Sequence, residues 1–255
     1  MNMDALDPSI MGPAFIAGLL VLATHVPLGR EVLKRGIIFI DLAVAQIAGL
    51  GVIAASAFGW APQGWRVQVA AVTAAVLGAL FLHWTERRFG RFQEAVIGVV
   101  FVLAATGGIL LLAADPHGGD AVRDLLVGQI LWVDMQRLLP MGLLYAVMLG
   151  LWFGLRGRLG GLGFYLIFAI TVTASVQVVG VYLVFASLIV PALATQGMAG
   201  WRGLAAAWGL GATGYLLGLA ASALLDLPSG AVIVWSLALL AAIIAGIRSW
   251  KNPEA

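Results

Sequence analysis

The segment IIFIDLAVAQIAGLG, residues 37–51, holds an acid, Asp41, and an amide, Gln46, in a run apolar enough to lie in lipid. A carboxylate at such depth is costly, so it marks a cation path, a gate or a buried pair. Two readings of Asp41 stand. It lines a path and touches a cation there, or it serves packing by capping a neighbouring helix or pairing with an arginine. Ala45, Ala48 and Gly49 would share its helical face, and such small residues suit close contact with another helix. Asp41 therefore faces protein under either reading. Gln46 is five residues further on and projects about 140° away at 3.6 residues per turn, so one helix does not easily aim both at one ion. Gln177, in TVTASVQVVG, is a second amide at membrane depth. Each amide either contacts a partly hydrated ion or chelate, or bonds between helices. Thr173 shares a face with Gln177 by i,i+4 spacing, as Thr171 does with Ser175, but small hydroxyls commonly bond back to helix carbonyls. Glu94 opens a hydrophobic run, where a carboxylate suits the helix dipole.

Other chemistry finds little support. The three histidines are His25, His83 and His117. His25 is expected near a helix end, at the interface, and no two histidines form an i,i+4 pair. His117, with Asp115 and Asp120, could hold a transition ion or sit in a solvated loop. No Gly-x-Ser-x-Gly elbow occurs, and there are no cysteines. The two lysines, Lys34 and Lys251, follow Leu33 and Trp250, so neither belongs to a Gly-Lys-Ser/Thr phosphate loop. The chain reads as no enzyme.

The elements that position these residues follow from composition. The 255 residues are 62% hydrophobic and 10% charged, against about a quarter charged in soluble domains. An all-α, polytopic transmembrane helical bundle follows. The start, MNMDALDPS, is acidic and does not read as a secretory leader. Crossing a bilayer takes roughly 20 apolar residues, which gives candidate spans at 9–28, 36–58, 66–84, 94–114, 138–155, 163–196, 202–225 and 230–248. The sixth has 34 residues. At about 1.5 Å each it would reach about 51 Å, so it is expected to break near Gly180 into 163–179 and 181–196. That makes about eight or nine hydrophobic segments.

Charge supports the break. With the N-terminus outside and the hairpin broken, 11 Lys and Arg fall inside and 3 outside; unbroken, the division is 8 and 6. The positive-inside rule favours the first. The basic residues are scattered among loops, which suggests topology and not nucleic acid. Pro191 and Gly180 read as backbone devices, since proline in a membrane helix frees a carbonyl. Trp60, Trp65, Trp132, Trp201 and Trp250 lie near span ends and read as interface anchors. Residues 115–136 form the one long loop, whose middle, AVRDLLVGQILW, suits a short amphipathic helix. A single transmembrane domain over 1–255 is the simplest organisation.

Three stretches carry a resemblance: RGIIFIDLAVAQIAGLGV after PLGREVLK; QEAVIGVVFVLAATGGILLL followed by LLVGQILWV; and VVGVYLVFASLIVPALAT with LLDLPSGAVIV further on. Together they resemble the membrane permeases of zinc/manganese/iron-type ABC importers, which are similar to the vitamin B12 and siderophore permeases. The resemblance implies a multi-pass protein of a bacterial inner membrane, working as a homodimer. It implies P-loop ATPase subunits in the cytoplasm, a separate extracytoplasmic substrate-binding protein, and transported divalent metal with no cofactor bound by this chain. Asp41 becomes the metal contact, with Gln46 and Gln177 as further path candidates. Arg156, Arg158 and Arg202, in the loops 156–163 and 196–202, become candidates for ATPase coupling. Two departures stand out. Many members place a His four residues after the Asp, where this chain has Ala45. The segment after the fifth span, RGRLGGLG, is shorter than the family's docking stretch. Two alternatives are a chelate or small organic cargo on the same architecture, and a membrane scaffold without transport.

Overall fold

In a computed structural model the described residues are 7–60, 64–113, 115, 118–155, 158 and 160–251. They fold into helices: α1 (Pro8–Arg35), α2 (Ile40–Ala57), α3 (Trp65–Phe89), α4 (Gln93–Leu112), α5 (Gly118–Val127), α6 (Met135–Leu155), α7 (Gly160–Val179), α8 (Val181–Ala194), α9 (Gly200–Leu225) and α10 (Ser229–Lys251). Short 3₁₀ turns cover Gly90–Phe92 and Ile130–Trp132. By length and composition there are seven candidate spans among the described residues. One of these, Trp65–Leu112, contains both α3 and α4, and the shorter apolar α8 stands apart from the seven. The polytopic bundle expected from composition is therefore present.

The break expected near Gly180 is also present. α7 ends at Val179, Gly180 takes φ 80° and ψ 163°, and α8 begins at Val181. Only glycine adopts that backbone region readily. Gly128, φ 71°, lies against it, and a Cβ on either glycine would run into the backbone of the other. The amphipathic helix expected at 121–132 is met in part: α5 covers Gly118–Val127, and Ile130–Trp132 form a separate 3₁₀ turn. Trp60, Trp65, Trp132 and Trp201 are exposed near helix ends, as interface anchors should be.

Two boundaries differ from expectation. α1 continues to Arg35 instead of stopping near residue 28, with Pro13 and Pro27 inside it. A membrane helix tolerates proline because neighbours re-satisfy the freed backbone. His25 is consequently not interfacial. It is fully buried mid-helix, with Nδ1 2.9 Å from the Val21 carbonyl and 3.0 Å from Thr24 Oγ1. α7 begins at Gly160, so part of the stretch expected as a loop over 156–163 is helical. At the other end of the chain's first helix, Asp7 accepts a hydrogen bond from the Ser9 backbone N–H at 2.8 Å, which holds its carboxyl below the usual range.

The chain divides into two compact units. One comprises 35–126 and 146–177. In it α2 packs against α3 and α4, and α3 presents Val67, Ala71, Ala75, Ala79 and Leu82 as its buried stripe. Small side chains at four-residue spacing let helices approach closely. The other unit comprises 1–34, 127–145 and 178–255. There α10 packs on α8 and α9. Tyr215 is buried with its hydroxyl 2.8 Å from Ser187 Oγ, and Trp208 Nε1 donates to the Leu22 carbonyl at 3.0 Å.

Candidate functional site

Helix α2 is apolar on every face, and a helix of that kind is expected to be buried in protein. Its first half, from Ile40 to Gly49, is buried except at Leu42 and Ile47. Asp41 sits in the first turn and is 1% exposed. Neither of its carboxylate oxygens meets a side-chain partner, and the donors nearest to them are the backbone N–H groups of Asp41 and Leu42 in its own first turn. The helix has no side-chain cap at Phe39. Instead, the Phe39 backbone N–H donates to Glu94 Oε1 at 3.1 Å, from α2's start to the first turn of α4. Glu94 Oε2 is buried and has no hydrogen-bond partner. Two helix starts thus each carry a carboxylate, linked through the Phe39–Glu94 bond, with Asp41 Oδ1 and Oδ2 and Glu94 Oε2 free of side-chain donors.

An orphaned buried carboxylate is unstable unless a proton or cation compensates it. Helix N-termini supply positive potential to each acid, for Asp41 through the backbone N–H groups of Asp41 and Leu42. The arrangement suits transient capture of a cation. Among the described residues, no three His, Cys, Asp or Glu side chains converge as a metal cage. A cation here would therefore keep ligands from water or from groups outside this set.

Next to Glu94 lies a polar cluster built on Gln93 and Thr85. Gln93 Nε2 donates to the Leu82 carbonyl at 2.8 Å and lies 3.4 Å from Tyr165 Oη. Thr85 Oγ1 donates to Gln93 Oε1 at 3.0 Å, and lies 2.9 Å from the Leu82 carbonyl. Arg35 stands 3.8 Å from Glu86 and lies over the Phe164 ring at 4.4 Å; His83 Nδ1 is 3.6 Å from Glu86. These contacts join the ends of α3, α4 and α7 around the start of α2. We expect Gln93→Ala to lower stability by about 1–3 kcal/mol, the usual cost of orphaning buried bonds, read as a drop in the thermal midpoint of the full chain in detergent.

The other sequence-expected residues fall as follows. Gln46 is buried on α2. Gln177 is exposed near the end of α7, although Thr173, one turn earlier, is fully buried. Ser175 Oγ donates to the Thr171 carbonyl at 2.8 Å, the back-bonding expected of small hydroxyls. Pro191 lies inside α8, and its carbonyl accepts from the Thr195 backbone at 3.2 Å and from Thr195 Oγ1 at 2.9 Å. Arg202 and Arg158 are exposed. Arg156 and His117 lie outside the described residues.

Two residues escaped sequence reading. Glu94 looked like a dipole partner for its own helix, and nothing in its spacing announced the bond to Phe39. Arg30 looked like a loop cation. In the fold its guanidinium donates from Nη2 to the Met198 carbonyl and lies so close over Gly203 that a side chain there would collide with it.

Comparisons with known proteins bear on the fold. The ABC 3 transport family matches residues 7–160 and 152–248. An uncharacterized membrane protein of Synechocystis sp. is 28% identical over 252 residues, covering 91% of this chain and 88% of that protein. Among solved structures, PsaBC from Streptococcus pneumoniae in complex with Fab aligns with TM-score 0.76 and 18% identity, covering 96% of this chain and 95% of that one. A metal-chelate type ABC transporter in an inward-facing conformation aligns with TM-score 0.70 and 17% identity, covering 94% and 85%.

Proposed function

The chain belongs to the ABC 3 transport family, and on that premise we propose that it is the permease subunit of an importer for divalent metal ions such as zinc, manganese or iron. As an ABC permease it is a membrane transport subunit, not an enzyme, and it works with ATPase and substrate-binding partners. The finer statements are the proposal. The chain pairs with a second copy in a bacterial cytoplasmic membrane, holds no resident cofactor, and receives its cargo from an extracytoplasmic binding protein.

One observation supports the cargo assignment: the buried carboxylate of Asp41 and the half-buried one of Glu94, with three oxygens that lack side-chain donors. Hard anionic oxygens suit divalent cations such as manganese. Asp41 makes the main contact and Glu94 the second. Gln46 and Gln177 serve the path as neutral amides that touch a hydrated ion without trapping it. The site is deliberately incomplete, since a transport site has to release what it binds. Alternating access follows when ATPase closure tilts the helices that carry the two acids.

A second reading, a chelate or small organic cargo, draws on the small donor set. Ala45 stands where an imidazole would complete the site, and no three ligand side chains converge among the described residues. Adding free ions and chelates separately to the reconstituted transporter separates the two readings.

Coupling is assigned to the turn after α8, residues 196–202, with Arg202 exposed on it, and to the connection around Arg158. Arg30 supports the first by fixing the Met198 carbonyl to α1. Arg30→Ala is therefore expected to lower transport per ATP hydrolysed by about tenfold, the loss of about 1.4 kcal/mol of coupling, while ATPase binding persists. Arg30→Lys should restore part of it. The ratio of uptake to phosphate release in proteoliposomes measures this; an unchanged ratio makes Arg30 a packing residue.

A further inference from the structure

The corner between α3 and α4 carries a surface that the transport reading leaves unused. Residues 84–92 read WTERRFGRF. α3 runs to Phe89, one 3₁₀ turn covers Gly90–Phe92, and α4 starts at Gln93. Two apolar helices joined so tightly leave the corner at the membrane surface, with no loop to lift it away. Arg87, Arg88 and Arg91 are all exposed there. Glu86, the acid of the turn, is engaged with Arg35 and His83, and among the described residues none of the three arginines has an ion-pair partner. Beside them stand exposed rings: Trp84 at 57%, Phe89 at 47% and Phe92 at 63%. Trp84 meets Phe89 edge-on with centroids 6.3 Å apart, and Arg91 lies 5.8 Å from the Phe92 ring.

We propose that this corner is a binding site for the headgroup phosphate of an anionic phospholipid. The planar guanidinium fork matches phosphate oxygens. Aromatic rings favour the headgroup level of the bilayer, so cations and rings together fit a ligand with an anionic head and an apolar body. The charge rule puts this corner on the cytoplasmic face, where anionic lipid attracts basic residues close to the membrane. A soluble partner would have to cover three exposed rings on a corner that protrudes little from lipid. The site is independent of the cargo.

The test uses the purified full chain in mixed micelles of equimolar phosphatidylglycerol and phosphatidylcholine, with retained lipid counted by native mass spectrometry. Wild type is expected to retain phosphatidylglycerol preferentially. The triple variant Arg87→Gln, Arg88→Gln, Arg91→Gln should lose about a hundredfold of that preference, the combined effect of three basic residues near an anionic surface. Arg66→Gln with Arg123→Gln, which removes exposed arginines elsewhere, should leave it unchanged. If the triple variant does not fold, Arg88→Gln and Arg91→Gln singly should each lower the preference. Equal retention in wild type and variants overturns the proposal, as does an equal fall in the control, which reports bulk charge only. Displacement of the lipid by millimolar inorganic phosphate overturns it in favour of a free-phosphate site. Unchanged lipid retention with lost ATPase association overturns it in favour of protein docking.

Discussion

Asp41→Asn is expected to abolish metal uptake, by about a hundredfold or more, and at the same time to raise the protein's thermal stability. The two effects share one cause. Asp41 is buried and neither carboxylate oxygen has a side-chain partner. In the resting fold the group is held at a cost, because burial without a cation disfavours a carboxylate. An amide of the same shape removes the penalty on the ionised form while remaining a buried polar group, so the midpoint should rise modestly. Cation capture is lost because an amide offers no net charge. A structural acid behaves in the opposite way: removing one partner of a buried pair destabilises strongly. Thermal midpoints in detergent, set beside uptake in proteoliposomes, separate the two. A lower midpoint with normal uptake makes Asp41 a packing residue.

Gly180→Val should leave little assembled protein. Gly180 has φ 80° and ψ 163°, a region essentially closed to other residues, at a strain of about 1–3 kcal/mol. Even alanine adds a Cβ that runs into the Gly128 backbone. A β-branched residue meets both penalties and has no nearby rotamer that escapes them. The hairpin then straightens, and the apolar stretch becomes too long for one crossing. Gly128→Val fails by the same contact from the other side, whereas Gly150→Ala, which meets open space, should be silent. Yield of monodisperse protein across the three variants measures this. Normal yield for Gly180→Val would contradict the account of the break.

The hairpin was legible because two independent constraints met there: a run of 34 apolar residues is too long for a bilayer, and the basic residues balance only if it breaks. Asp41 was legible as an ionisable group where lipid forbids one. The end of α1 was not, because Pro27 reads as a stop in water and is tolerated in a packed membrane helix; the burial of His25 followed from that single boundary. Gln177 shows a second limit. In lipid, a face toward the bilayer is as apolar as one toward protein, so hydrophobic periodicity does not separate them; Thr173 is buried and Gln177 exposed on one face of one helix. Glu94 and Arg30 act across 55 and 168 residues. Bonds of that reach depend on tertiary contacts that local spacing does not encode.

The most direct test of the cargo assignment is uptake by the wild-type chain. It would be reconstituted with its ATPase and binding protein in sealed vesicles, with zinc, manganese and iron offered singly as free ions and then as chelates. The account predicts ATP-dependent accumulation of at least one free ion, without need of a chelator. An assembled, ATP-hydrolysing complex that ignores every free ion and accumulates only a chelate or organic solute would contradict it, and would leave the two carboxylates without their cargo.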